Sequence, residues 1–251
     1  MHASHRSYNA AMRHDPVFNI AIETASRQGS LTLGRGDALL ASVDLPVQRR
    51  HRVGLLPGIA SLCAEHDVEP EQLGEVYVSL GPGSFTGLRV AMTGAIALSV
   101  ARSLRLVGVP TLDVVARNTP AGHQRVAVCL NVKRETAWCG VFERQVAGWT
   151  ATVEPALRTL DELFKVAARP VALVGDPLPA LPDPLPGGVT VLPASHARPR
   201  AEAVWRIGRE RASEDRYTPS TALAPIYARP PEAVTLWDQR HGSPDATIAQ
   251  N

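Results

Sequence analysis

The residues with the clearest potential for chemistry form a glycine-rich turn near the middle of the chain. Gly81-Pro82-Gly83 follows a β-branched and aromatic run over residues 76–80, which predicts a buried strand. Backbone amides of a glycine turn at a helix N-terminus can cradle a phosphate group. Ser84 or Thr86 can instead cap the helix that follows, which would make the turn a structural connection. The spacing alone leaves both interpretations open.

A second polar corner lies near the start of the chain. Residues 18–26 predict a strand that ends at Glu23 and Thr24, whose side chains could either act as ligands or cap a turn. Neither corner is accompanied in the sequence by a Ser-His-Asp set, a Walker lysine, a His/Cys/Asp metal constellation or a matched pair of carboxylates. We therefore expect no catalytic residue and no bound metal or cofactor.

Two helices are predicted beside these corners. Residues 53–66 carry an apolar stripe at spacings of three and four, and residues 86–104 are rich in alanine with few polar side chains. Small residues recur at every fourth position of the second helix, which lets another helix approach closely. The second helix has more apolar and small side chains than one core-facing side requires, so we predict that the two helices form a protein interface. The predicted contact residues are Leu55, Leu56, Ile59, Arg89, Met92, Ala95, Ile96 and Ser99.

The remaining sequence predicts a two-lobed α/β protein. Three strands precede a helix, a strand, a helix and a strand in the first lobe, whereas the second lobe has a hairpin, short strands and seven prolines within residues 177–199. A helix is predicted over residues 201–212, with Arg206, Arg209 and Arg211 on a solvated face. The predicted divisions are a disordered leader at 1–16, a first lobe at 17–122, a smaller second lobe at 123–215, and a return segment with a tail at 216–251.

Composition indicates a globular chain with weak overall charge. Hydrophobic residues make up 45% and charged residues 20% of the sequence, and the formal net charge of +2 is too small to indicate nucleic-acid binding by itself. The three cysteines have no CxxC spacing and suit a reducing compartment. No run approaches the ~20 apolar residues that span a membrane, and the first sixteen residues contain no apolar signal region. We expect a cytoplasmic protein.

The nine residues 81–89 closely resemble the signature of the TsaB (YeaZ) family, bacterial proteins of tRNA threonylcarbamoyladenosine (t6A) synthesis. The motif positions in this chain are Gly81, Pro82, Gly83, Ser84, Phe85, Thr86 and Gly87. The similarity covers roughly residues 18–116 and returns in the closing pattern Pro225-x-Tyr227-x-Arg229. It implies an actin-like ATPase fold (ASKHA, ribonuclease-H-like) with two lobes, the second reduced.

The resemblance also places Glu23 and Thr24 at a vestigial nucleotide corner. This chain departs from the family pattern there, because the family usually carries Asp where Glu23 stands. It departs again in the second lobe, where Asn131-Val132-Lys133 replaces an Asp-Ala-Arg turn. Enzymatic relatives of the family hold a metal with two histidines four residues apart, whereas no histidine occurs between His66 and His123 here.

The resemblance therefore implies a non-catalytic subunit of the t6A37 complex. Its members support a TsaD-like catalytic subunit during threonylcarbamoyl transfer, a TsaE-like ATPase joins them, and tRNA is reached indirectly through the complex. The same surface could support a homodimer when the partner is absent. Two other classes stay open: an active actin-like-fold small-molecule kinase or ATPase, and a peptidase.

Overall fold

The computed structural model describes residues 17–46, 51–146 and 148–229, with no side-chain description for residues 51–53. The predicted leader at 1–16 and the tail from residue 230 onward lie outside the described residues. Within the described parts, ten strands form two five-stranded sheets, each with its own buried apolar layer. None of the helices in these parts is long and apolar enough to cross a membrane.

The first sheet combines an antiparallel meander with two parallel strands, in the order β3-β2-β1-β4-β5. Its strands are β1 (Phe18–Glu23), β2 (Ser30–Arg35), β3 (Ala38–Asp44), β4 (Leu73–Ser79) and β5 (Arg105–Val109). The pairs β1–β2 and β2–β3 run antiparallel, whereas β1–β4 and β4–β5 run parallel. Strands β1 and β4 are buried along most of their length, as expected for central strands covered on both faces.

The second sheet repeats this arrangement, in the order β8-β7-β6-β9-β10. Its strands are β6 (Arg125–Lys133), β7 (Thr136–Gln145), β8 (Gly148–Thr159), β9 (Val171–Gly175) and β10 (Val189–Val191). The pairs β6–β7 and β7–β8 are antiparallel, and the pairs β6–β9 and β9–β10 are parallel. The two lobes therefore share one strand topology, although no sequence repeat signals it.

The lobes differ in the helices between their parallel strands. In the first lobe, α1 (His51–Ala64) precedes β4 and α2 (Phe85–Arg102) connects β4 to β5. Between the parallel strands of the second lobe, the described residues form one α-helix, the seven-residue α4 (Leu160–Val166) ahead of β9, and the proline-rich stretch stands between β9 and β10. The second lobe is thus reduced by the loss of a helix, because closely spaced prolines cannot sustain one.

Two further helices cross between the lobes. The helix α3 (Thr111–Ala116) follows β5 but packs Leu112 and Val115 into the core of the second sheet. The helix α5 (Ala201–Ser213) follows the second sheet but packs Trp205 against the first. The boundaries predicted at residues 16, 122 and 215 stay predictions, and this exchange means that each lobe includes a helix from the other lobe's predicted range.

The solvated face predicted for α5 is wrong for two of its three arginines. Arg209 contacts Asp37 at 2.7 Å and Glu75 at 3.0 Å, and Arg211 contacts Asp113 at 2.7 Å. Periodicity placed them correctly on the polar side of the helix, but carboxylates of other elements cover that side. Arg206 alone is exposed, as predicted.

Candidate functional site

The glycine-rich turn is packed against the end of β1. The Ser84 amide donates to the Ala25 carbonyl at 2.6 Å, and a Cβ atom at Gly83 would lie only 2.4 Å from that same oxygen. The Ser84 hydroxyl accepts from the Gly87 amide at 3.2 Å and caps α2, which selects Ser84 over Thr86 as the cap. The motif thus joins β1 to the first turn of α2 through contacts within the chain.

Glu23 and Thr24, the predicted nucleotide corner, are both fully buried beneath this turn. The Thr24 hydroxyl donates to the Gly87 carbonyl at 2.9 Å, and Glu23 Oε1 accepts from the Ala25 amide at 2.5 Å. Burial raises the pKa of Glu23 to about 7, against smaller opposing effects of the Ala25 amide and the nearby Ser79 hydroxyl. In this arrangement neither predicted side chain reaches the surface, so a role in nucleotide binding stays a prediction.

A cleft of about 710 Å³ opens between the lobes just beyond this corner. Its polar lining includes Arg27, Thr111, Asn131, Asp176 and Arg198. The Thr111 hydroxyl is buried and has no hydrogen-bond partner in the described parts of the chain. Among the described residues, no group of three or more His, Cys, Asp or Glu side chains is arranged to hold a metal ion. The cleft could take a polar ligand, but its charged groups resemble no catalytic set.

The outer surface of the first lobe carries a separate, mostly apolar groove of about 430 Å³ between α1 and α2. We call it the α1–α2 groove; its lining residues are Leu55, Leu56, Pro57, Arg89, Val90, Thr93, Gly94 and Ala97. Leu56 is 53% exposed, a large value for a leucine in a helix. An apolar helical groove of this kind is typical of a surface that a partner covers.

Half of the predicted interface residues are buried in the chain's own core, and of these only Leu55 also lines the α1–α2 groove, so their part in an interface stays a prediction. These four residues are Leu55, Ile59, Met92 and Ala95. Ile96 and Ser99 are half-buried, and the Ser99 hydroxyl donates to the Leu104 carbonyl at 2.7 Å. Only Leu56 and Arg89 are exposed. The physical reason is that the row of small residues faces inward, where it brings α2 close to its neighbours in the core.

Arg89 neither caps local carbonyls nor projects freely. Its guanidinium lies 3.9 Å from the centre of the Phe85 ring, and its Nε donates to the Tyr227 hydroxyl at 3.0 Å. Phe85 and Tyr227 also stack, with ring centres 5.4 Å apart. The closing motif therefore folds back onto α2, and the composition of the motif at 81–89 gave no sign of this contact.

The same return segment reaches the second lobe. Arg229 donates to the main-chain and side-chain oxygens of Asn131 and Thr136, at distances between 2.5 and 3.2 Å. Asn131 has a left-handed φ of 54°, which asparagine tolerates better than most residues. Asn131 thus serves as an acceptor for Arg229, and the return segment links both lobes.

Comparison with known proteins gives consistent matches. Residues 45–173, just over half of the chain, match the family model described as TsaD: tRNA N6-adenosine threonylcarbamoyltransferase. The chain is 25% identical over 226 residues to the tRNA threonylcarbamoyladenosine biosynthesis protein TsaB of Bacillus subtilis, covering 87% of this chain and 96% of that protein. It is also 25% identical over 131 residues to Escherichia coli TsaB, covering 51% and 56%.

Solved structures agree with the fold. YeaZ from Pseudomonas aeruginosa superimposes with a TM-score of 0.70 at 21% identity, covering 84% of this chain and 99% of that one. The duplicated sheets and this similarity confirm the predicted actin-like, two-lobed α/β fold. Taken with the glycine turn packed on β1, the return segment and the sequence matches, the chain belongs to the TsaB (YeaZ) family of tRNA threonylcarbamoyladenosine biosynthesis proteins, within the wider TsaD-type family.

Proposed function

We propose that this chain is a non-catalytic subunit that binds a TsaD-like catalytic subunit through the α1–α2 groove and supports threonylcarbamoyl transfer to tRNA. The observation that carries the proposal is the exposed apolar groove itself, with Leu56 and Ala97 open to solvent on its two walls. Covering such a surface removes apolar area from water, which favours association. Membership of the TsaB family, together with the TsaD-type family match, suggests a TsaD-like protein as the partner.

The two polar corners support the same proposal. The Ser84 amide already donates to the Ala25 carbonyl and the Gly87 amide to the Ser84 hydroxyl, so two of the backbone donors that a phosphate cradle at this turn would use are bonded within the chain. This weakens the alternative of an active actin-like-fold kinase or ATPase. In the proposed assembly a TsaE-like ATPase joins the pair, and the same groove serves a homodimer when the catalytic partner is absent.

Replacing Ala97 with arginine should disrupt the partnership. Ala97 is exposed on α2 and lines the groove, so the change leaves the core intact, unlike a change at the buried Ala95. An unpaired charge inside an apolar interface costs several kcal/mol, so affinity for the TsaD-like subunit should fall by about 100-fold or more. The measurement is the dissociation constant of the purified pair, together with threonylcarbamoylation of a tRNA transcript.

The matched control is Ala180→Arg, which adds the same side chain at an exposed position of the proline-rich stretch. It should leave pairing unchanged. A folded Ala97→Arg variant that pairs with wild-type affinity would exclude the groove as the interface. ATP turnover by the isolated chain would instead support the kinase alternative.

A further inference from the structure

A second groove, of about 530 Å³, lies where the start of α5 meets the end of α3 and the β7–β8 turn. Four arginines line it: Arg117, Arg144, Arg200 and Arg206. Glu202 is the single carboxylate among its described lining residues. We call this the arginine groove. Its charge is notable because the whole chain has a net charge of only +2.

The adjoining groove shows that this charge is local. That groove shares Arg117 and Trp149 with the arginine groove, but its three arginines face an equal number of carboxylates. Its charged lining residues are Asp113, Arg117, Glu210, Arg211, Glu214 and Arg216. Arginines and carboxylates therefore balance in the adjoining groove. In the arginine groove, Arg144, Arg200 and Arg206 still outnumber the single carboxylate after Arg117 is set against its partner Glu210.

Two of the four arginines are held in place by contacts within the chain, and one of them keeps an uncompensated charge. Arg144 donates to the carbonyls of Thr119, Pro120 and His123 at 2.9 to 3.1 Å, and its guanidinium lies 4.4 Å from the centre of the Trp149 ring. Carbonyl groups and an indole are neutral, so they orient the guanidinium and leave its positive charge uncompensated. Arg117 is oriented by an ion pair with Glu210.

The other two arginines have no structural partner. Arg200 and Arg206 are exposed, and neither side chain forms a hydrogen bond or an ion pair with any described residue. Guanidinium groups match phosphate oxygens with two parallel N–H donors, and they remain charged at any physiological pH. The oriented, uncompensated guanidinium of Arg144 and the two adaptable guanidiniums around one groove suit a ligand that carries more than one phosphate.

We propose that the arginine groove binds the phosphate backbone of the tRNA that the assembled complex modifies. This inference rests on the proposed function, and it changes the expectation that tRNA is reached only indirectly through the complex. The family takes part in a tRNA modification, so RNA is the polyanion that we expect at this surface. Contacts to its phosphates would position the RNA without reading its sequence. The contribution should be salt-dependent, since each neutralised phosphate releases counterions.

The test uses the chain assembled with its TsaD-like subunit, a labelled tRNA transcript and the double variant Arg200→Ala/Arg206→Ala. Because neither side chain has a partner in the fold, the variant should fold and pair normally. We expect affinity to fall about tenfold near 0.1 M salt, and the slope of log K against log[salt] to decrease by about 1.5. The control is Arg35→Ala/Arg102→Ala, which removes two exposed arginines that do not line the groove and whose contacts, to Phe18 and Glu71, lie elsewhere on the surface.

Each outcome bears on the inference. Equal losses in the two double variants, unchanged binding in Arg200→Ala/Arg206→Ala, or no measurable binding of tRNA by the wild-type assembly would overturn it. Loss of subunit pairing only in Arg200→Ala/Arg206→Ala would also overturn it, by identifying the groove as a protein-docking site. If the wild-type chain forms no complex, the proposed function fails, and the same two variants are then compared for tRNA binding by the chain alone.

Discussion

Replacing Glu75 with alanine should lower the free energy of unfolding by about 2 to 4 kcal/mol, because it removes the shared acceptor of the buried Tyr77 hydroxyl and of the largely buried Arg209. The Glu75 side chain is only 2% exposed. Its Oε1 accepts from Arg105 and from the Tyr217 hydroxyl, both at 2.7 Å. Its Oε2 accepts from Arg209 at 3.0 Å and from the Tyr77 hydroxyl.

The cost is large because these partners come from separate elements. Glu75 and Tyr77 lie on β4, Arg105 on β5 and Arg209 on α5, so one carboxylate connects the helix to the sheet it covers. Burial, together with the hydrogen bond to the Glu75 carboxylate, raises the pKa of Tyr217 to about 12. The Tyr217 hydroxyl is therefore protonated, and a donor, at neutral pH. Removing the carboxylate affects the packing of α5 as well as an ion pair.

Urea unfolding at neutral pH measures this effect, and Glu71→Ala is the matched control. Glu71 also pairs with an arginine, Arg102, but its side chain is 60% exposed. Solvent screens such a pair, so its loss should cost less than about 1 kcal/mol. Similar losses for the two variants would show that burial of Glu75 does not set the size of the effect.

Substitution of Glu23 by glutamine should remove a pH dependence of stability. The pKa of Glu23 is about 7 in the folded chain and has its ordinary value of 4.5 when burial is lost. The folded state therefore binds a proton that the unfolded state releases across this interval. Stability from this group is full below pH 4.5 and is lost as pH rises through 7. The total change is about 3 kcal/mol.

The measurement compares the free energies of unfolding of wild type and Glu23→Gln at pH 5 and pH 8. Other titrating groups contribute equally to both proteins, so the difference isolates Glu23. Relative to wild type, the glutamine variant should gain about 2 to 3 kcal/mol between pH 5 and pH 8. A difference that stays constant with pH would mean that Glu23 is ionised in the folded state at both values.

Local sequence predicted much of the architecture. The β-branched run before Gly81, the glycine turn and the alanine-rich helix after it each depend on backbone preferences within a few residues, and the structure has all three. The hairpin of β6 and β7 also follows from a local signal, alternation on both sides of a short turn. The family motif added the two-lobed fold, which no local preference specifies.

Which face of α2 is buried could not be predicted from α2 itself. Small and apolar residues surround this helix almost evenly, so its periodicity distinguishes core from surface poorly. The packing of α1 and the first sheet decided that Ala95 is internal and that Ala97, two residues later, is exposed. The predicted interface stays a prediction, and the structure adds that four of its eight residues are buried in the chain's own core.

The charged clusters were decided only by tertiary structure. Glu75 and Arg209 lie 134 residues apart, and the arginine groove collects Arg117, Arg144, Arg200 and Arg206 from three separate parts of the chain. Sequence by itself determined the strands, turns and helices, because these depend on neighbouring residues. The exchange of α3 and α5 between the lobes then decided which distant charged side chains meet. Such contacts depend on how the helices and strands pack together, and the local sequence of each element does not specify that packing.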